Sequence, residues 1–267
     1  CRRRCGLASA APTHMAIPIL SYHAIDEQRS PISVTPDAFR RQMQALSESR
    51  CNVITLGRLV NALRGDGELP DRSVAITFDD GFESTYKHAF PVLQSHGFAA
   101  TVFAVAGYCG KLNDWPSQPA GIPRMQLMDW PQIAEMERHG IEFGAHTYTH
   151  PRLDQTPASD LEREIVHSKH VMEDKLGHAV DLFAYPYGRF NTISADMVGA
   201  TYAGACTTRL GTVTEASDPL ALERVEILYV QHPRVMRHLS GRAFSWYLDI
   251  RRPIRSLASA VLRREWE

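Results

Sequence analysis

Two short segments bring together side chains able to hold a cation and activate water. In Thr77-Phe78-Asp79-Asp80-Gly81, two adjacent carboxylates follow the apolar run Val74-Ala75-Ile76. Holding both at the end of a buried strand is costly through repulsion and desolvation unless a cation or a catalytic role offsets it. Gly81 permits a turn, after which one carboxylate can face a metal while its neighbour faces a water. Turn and capping chemistry would use the same Asp-Asp-Gly. In His146-Thr147-Tyr148-Thr149-His150, two imidazoles four residues apart can converge on one ion. With 12 histidines in 267 residues that spacing arises by chance about half the time, so its weight comes from position. Both segments follow predicted strand ends, which open onto one face of a barrel. Asp80, His146 and His150 together supply three ligands and leave a position for water, the pattern of a catalytic metal site. Zinc is favoured by this donor set, and cobalt, nickel, manganese or iron suit it as well.

A third segment, Phe183-Ala184-Tyr185-Pro186-Tyr187-Gly188, also ends a predicted strand. It reads either as an ordinary turn or as a turn whose backbone amides donate to an oxyanion. His167 and His170, in the polar stretch from Asp160 to Lys175, are expected on a solvated helix face.

The elements that must position these groups alternate along the chain. Strands are expected at Ile17–Tyr22, Asn52–Ile54, Val74–Phe78, Ala100–Val105, Ile141–Ala145, Asp181–Tyr185, Tyr202–Cys206 and Val225–Val230, with helices between them. One helix starts at Pro36 behind a Thr35 cap, with Phe39, Met43 and Leu46 on one face; another follows Thr55. The fold class expected is α/β, an irregular (β/α) barrel of about seven to eight parallel strands. Its expected span is 17–232, after a poorly ordered extension over 1–16 and before a basic, aromatic, helical tail over 233–267. The Gly- and Pro-rich segment from Gly107 to Arg124 is expected as a loop over the site. Trp115 there either stacks on a sugar face or packs within the loop.

A chain of 267 residues with 44% hydrophobic content can bury one large core, and a net charge of −1 gives no footprint for nucleic acid. No apolar run is long enough to span a membrane. The five scattered cysteines argue against a disulfide framework. A cytoplasmic or membrane-peripheral setting is expected, although a signal removed before residue 1 would leave the same sequence. The tail fits either peripheral contact with a membrane surface or a helix packed on the barrel with its arginines outward. Oligomeric state is not legible.

The three segments, in this order at these strand ends, resemble the polysaccharide deacetylase family, the carbohydrate esterases of family 4 that share a NodB homology domain. The resemblance runs from about Ile17 to beyond Arg224. It implies a NodB-like barrel, Asp79 as catalytic base, Asp80, His146 and His150 as metal ligands, and the Tyr187 amide in the oxyanion hole. Two departures stand out. Many members carry an arginine two residues before the proline of the turn, where this chain has Ala184, so the brace on the catalytic aspartate is expected from another group. The late Leu-x-His block, source of the general acid, has only Val230-Gln231-His232 as an approximation, followed by Pro233. The early strand Ile17-Pro18-Ile19-Leu20-Ser21-Tyr22-His23 resembles that of bacterial exopolysaccharide deacetylases with a permuted arrangement. That implies His23, in preference to His232, as catalytic acid; the plainer alternative is a structural histidine. The implied reaction is metal-dependent removal of N-acetyl groups from an exopolysaccharide, peptidoglycan or glycolipid intermediate. A hydrolase of non-sugar amides or cyclic imides, and a degenerate carbohydrate-binding module, are the alternatives.

Overall fold

The computed structural model describes residues 16–28, 30–239 and 243–251. The expected extension over 1–16 lies outside the described residues except for Ala16, as does the tail beyond 251.

Among the described residues ten strands occur: β1 (Ile19–Tyr22), β2 (Ala24–Ile25), β3 (Ser33–Val34), β4 (Asn52–Ile54), β5 (Ser73–Phe78), β6 (Ala100–Ala104), β7 (Ile141–Ala145), β8 (Leu182–Ala184), β9 (Gly204–Leu210) and β10 (Leu222–Glu226). Eight of them form one parallel sheet, ordered β1-β10-β9-β8-β7-β6-β5-β4. Pairing of β1 with β5, Leu20 opposite Ile76 and Tyr22 opposite Phe78, closes seven strands into a barrel. The short β4 pairs with the first half of β5. β2 and β3 form a separate parallel pair.

Each barrel strand is buried on both faces, which is why these segments read as apolar runs. Alternation then sorts their side chains. Leu20, Val74, Ile76, Phe78, Val102, Phe183, Ala205 and Val225 belong to the outer core beneath the helices. Ile19, Ala75, Phe103, Leu182, Ala184, Cys206 and Leu222 face inward and pack together with Leu56, Leu59 and Val60. Those three come from the helix Leu56–Leu63, which therefore plugs the foot of the barrel. Thr35 and Thr55 cap their helices by accepting from the amides of Ala38 and Arg58, at 3.2 Å in each case.

Two strands differ from expectation by more than two residues at an end, and the last also begins earlier, at Leu222 instead of Val225. β9 begins at Gly204 because the preceding helix runs to Thr201, and it continues to Leu210. The last strand ends at Glu226 instead of Val230. Beyond it, Ile227–Tyr229 forms a 3₁₀ turn that buries Ile227 and Val230 and exposes Leu228. A three-residue repeat of apolar positions serves that turn, and in isolation it is hard to distinguish from a strand.

The chain continues through a short helix, Pro233–Met236, and is again helical over 243–251. Phe244 and Leu248 join the outer core, and the Tyr247 hydroxyl donates to the Tyr229 carbonyl at 2.6 Å. Among the described residues no helix is long and apolar enough to cross a membrane.

Candidate metal and hydrolytic site

The inward register of the strands carries directly into the site. His23 continues the Ile19-Ser21 face of β1, Asp79 the Ala75-Thr77 face of β5, and His146 the Glu142-Gly144 face of β7. All three therefore reach the same mouth, at the carboxyl ends of the strands. The Asp79 amide donates to the Tyr22 carbonyl at 2.9 Å, and the His146 amide to the Ala104 carbonyl at 2.9 Å, so both residues extend the ladder.

After Asp79 the chain turns sharply, with φ of 69° at Asp80 and 76° at Gly81. Positive φ recurs at Thr147, His150 and Tyr187, so four of the six described non-glycine residues in that region line this mouth. Such conformations are strained and persist where surrounding contacts over-determine them. Around the histidine loop, the buried Glu164 carboxylate accepts from the amides of Tyr148 (3.1 Å) and Thr149 (2.7 Å) and from the Thr149 hydroxyl (2.8 Å). At the Pro186–Gly188 turn, a Cβ on Gly188 would sit 2.2 Å from Thr208 Oγ1, so only glycine fits.

Asp80 Oδ1 lies 3.5 Å from His146 Nε2 and 3.2 Å from His150 Nε2, and the two Nε2 atoms are 3.2 Å apart. The His146 Nδ1 donates to the Ala184 carbonyl at 2.7 Å, which fixes the ring with Nε2 turned toward Asp80. His150 Nδ1 is buried without a hydrogen-bond partner. The set fits a divalent ion: one carboxylate oxygen and two imidazole nitrogens converge, all buried, with separations close to the edges (about 3.3 Å) of a tetrahedron with bonds of about 2.0 Å. Burial works to raise the Asp80 pKa, but its bonds to His146 and His150 outweigh this and hold the carboxyl well below its usual range. Burial pushes His150 down, toward the neutral, ligating form.

Asp79 is held differently. Arg224, in the middle of β10 and 2% exposed, donates from its two terminal nitrogens to Asp79 Oδ1 (2.6 Å) and Oδ2 (2.7 Å). Its remaining donors go to the Thr207 carbonyl (2.9 Å) and Thr77 Oγ1 (3.3 Å). Burial alone would raise the Asp79 pKa, yet the guanidinium charge and its two bonds lower it, so Asp79 stays ionised. The brace expected from elsewhere, once Ala184 occupied the usual arginine position, is therefore Arg224. Sequence reading missed it because nothing local links Arg224 to a carboxylate 145 positions away. The available signal was an arginine at an inward position of a predicted strand, which is costly without an anionic partner.

His23, with a ring 21% exposed, has Nε2 3.9 Å from Asp79 Oδ2 and Nδ1 4.0 Å from Glu226 Oε1. His232 is elsewhere, exposed and capping the Pro233–Met236 helix by accepting from the Arg234 amide. The Tyr187 ring packs edge-on against His150 with centroids 4.7 Å apart, and its hydroxyl donates to the Ser117 carbonyl at 2.8 Å. Trp115 does not present a sugar-stacking face. It is 2% exposed and stacks on His150 at 4.3 Å, so the loop from Gly107 to Arg124 forms a wall beside Asp80, His146 and His150. His167 and His170 are exposed.

A model of the polysaccharide deacetylase family matches residues 66–202, just over half of the chain. The YxkH protein of Bacillus subtilis, named for that family, is 28% identical over 234 residues, 87% of this chain and 76% of its own length. The poly-beta-1,6-N-acetyl-D-glucosamine N-deacetylase of Staphylococcus epidermidis is 29% identical over 168 residues, 60% of this chain and about half (55%) of that enzyme. Among solved structures, the Streptococcus pyogenes deacetylase PplD in complex with acetate superposes with a TM-score of 0.74 at 26% identity, covering 86% of this chain and 100% of PplD.

Proposed function

The chain belongs to the polysaccharide deacetylase family, and from that premise we propose that it hydrolyses N-acetyl groups on a polysaccharide or glycan intermediate in a metal-dependent reaction. The observation that carries this reading is the placement of two unlike carboxylates side by side. Asp79 is ionised and fixed by an internal arginine, while Asp80 faces the Nε2 atoms of two imidazoles.

Asp80, His146 and His150 would hold the ion, zinc by preference, with cobalt, nickel, manganese or iron able to take its place. When bound, the ion supplies Lewis acidity toward the acetamide carbonyl and acidifies a water beside it. Asp79 accepts a proton from the attacking water, its two oxygens kept in position by the Arg224 fork. As the carbon–oxygen bond forms, the Tyr187 amide donates to the developing oxyanion; preorganised donors of this kind are often the largest contribution to rate. His23, beside Asp79, delivers a proton to the departing amine as the carbon–nitrogen bond breaks, leaving acetate and a free amino sugar.

The N-acetylated glycan is assigned by relatedness to enzymes named for poly-N-acetylglucosamine. The test is acetate release from N-acetylglucosamine oligomers by metal-loaded and chelated protein. Release that depends on metal and fails in Asp79→Asn supports the proposal. Turnover of small amides or cyclic imides, with none on any N-acetyl sugar, moves the substrate outside the glycans. Tight glycan binding without turnover makes this a binding module.

A further inference from the structure

The carboxyl-terminal segment is charged opposite to the rest of the chain. Residues 233–267 hold eight arginines and no lysine against three carboxylates, a balance of +5 in a chain whose total is −1, so residues 1–232 carry −6. Such a concentration of one sign in one segment marks an interaction surface more than a requirement of the fold.

The described part of this segment, together with the turn Ile227–Tyr229 before it, also exposes apolar surface. Leu228 (48%), Trp246 (68%) and Ile250 (48%) are three of the five exposed large hydrophobic side chains among the described residues. Trp246 and Ile250 are four apart on the helix over 243–251, on the side away from the buried Phe244 and Leu248, so they form one outward stripe. The bond from Tyr247 to the Tyr229 carbonyl ties that helix to the turn bearing Leu228. Arg251, the last described residue of that helix, has its guanidinium 4.5 Å from the Tyr247 ring centroid. Pro233, which opens the short helix Pro233–Met236, and Arg237, which follows that helix and pairs with Glu48, line a groove of about 570 Å³ together with Arg41, His96 and the Asp37-paired Arg40.

We propose that this face docks the protein onto an anionic lipid surface, with Trp246 and Ile250 entering the headgroup boundary beside Arg251 and the positive balance of the segment's sequence drawing it to acidic headgroups. The combination of side chains decides the partner class. A hydrophilic polyanion would meet the positive balance of the segment but leave Ile250 and Leu228 in water, and a neutral glycan would stack on Trp246 but offer that positive balance no counter-charge. A bilayer surface with acidic headgroups takes both. The turn bearing Leu228 follows Glu226, which lies 4.0 Å from His23, so the docked face adjoins the mouth of the barrel.

The proposal does not rest on the reaction proposed above, because binding is read without turnover. The full 267-residue chain is sedimented with vesicles of phosphatidylcholine alone or mixed with phosphatidylglycerol, at low and high salt, beside a Trp246→Ala/Ile250→Ala variant. Both substituted side chains are exposed, and thermal melting checks that the variant folds as the wild type does. The expected result is partition onto the mixed vesicles that falls as salt rises and drops about tenfold or more in the variant. Four results overturn it: no binding to mixed vesicles, equal binding to pure phosphatidylcholine, undiminished binding by the variant, or full displacement by soluble polyphosphate with no effect of the two apolar substitutions. The last would identify a soluble polyanion as the partner.

Discussion

The mouth and the foot of the barrel interior both hold inward-facing carboxylates, and they treat them oppositely. At the mouth, Asp79 and Asp80 are buried yet their pKa values are lowered, because a guanidinium grips one and imidazoles face the other. At the foot, Glu142 is partly buried, and burial raises its pKa. Its partners are neutral: the Thr101 hydroxyl at 2.6 Å and the Gly57 amide at 3.0 Å, the latter from the helix that plugs the barrel. Burial acts in the same direction at both ends, and the charge of the partner decides the outcome. The mouth is thus a site that keeps anions, whereas the foot tolerates one.

The sharpest way to break this comparison is to remove the cation that holds Asp79. Arg224→Ala leaves a buried carboxylate without its partner and is expected to cost about 3–5 kcal/mol of stability. Acetate release should fall with it, and Arg224→Lys should restore only part, since one ammonium cannot replace the two-pronged contact. Denaturant unfolding and acetate release read both effects. Unchanged stability in Arg224→Ala would mean that the ion pair does not govern Asp79.

Asp79→Asn removes the charge while keeping the shape. A fall of about 10²–10⁴-fold in kcat/KM, with metal content unchanged by elemental analysis, is expected of a general base. His146→Ala should reverse that pattern, with the ion lost after stripping and reloading, whereas the wild type retains about one per chain. Site-dependent metal in neither protein would remove the functional reading of the cluster.

The smallest effect is expected at the foot, with the opposite sign. A carboxyl whose folded pKa is raised favours its neutral form in the fold. Its ionisation therefore costs nothing below the unfolded pKa, and the full cost is present above the folded one. Glu142→Gln should thus raise Tm by a few degrees at most near neutral pH, and the gain should shrink as pH falls into the carboxylate range. A loss of stability at neutral pH would contradict the distinction between the two ends.

Much of this was legible in one dimension. The barrel class followed from apolar runs of strand length alternating with capped helices, and the runs are continuous because parallel strands are buried on both faces. The period of two along a strand puts His23 and Asp79 in step with inward positions, and His146 in step with Gly144, so a shared mouth follows once the strands are assigned. Ligand types and their spacing suggested a metal before any contact was known. The end of the last strand was less legible, because Ile227-Leu228-Tyr229-Val230 is apolar enough for a strand while its buried positions fall three apart.

What only the tertiary structure decided are relations between residues far apart in the chain. Arg224 meets Asp79 across 145 positions because β1 pairs with both β5 and β10 and so brings them to one interior. Trp115 could be placed over the site from its loop, but its stacking on His150 depends on how that loop folds back. Local sequence carries periodicity, capping and residue chemistry, all of which act within a few positions. Closure of the barrel sets the register between distant strands, and that register determines which arginine reaches which aspartate.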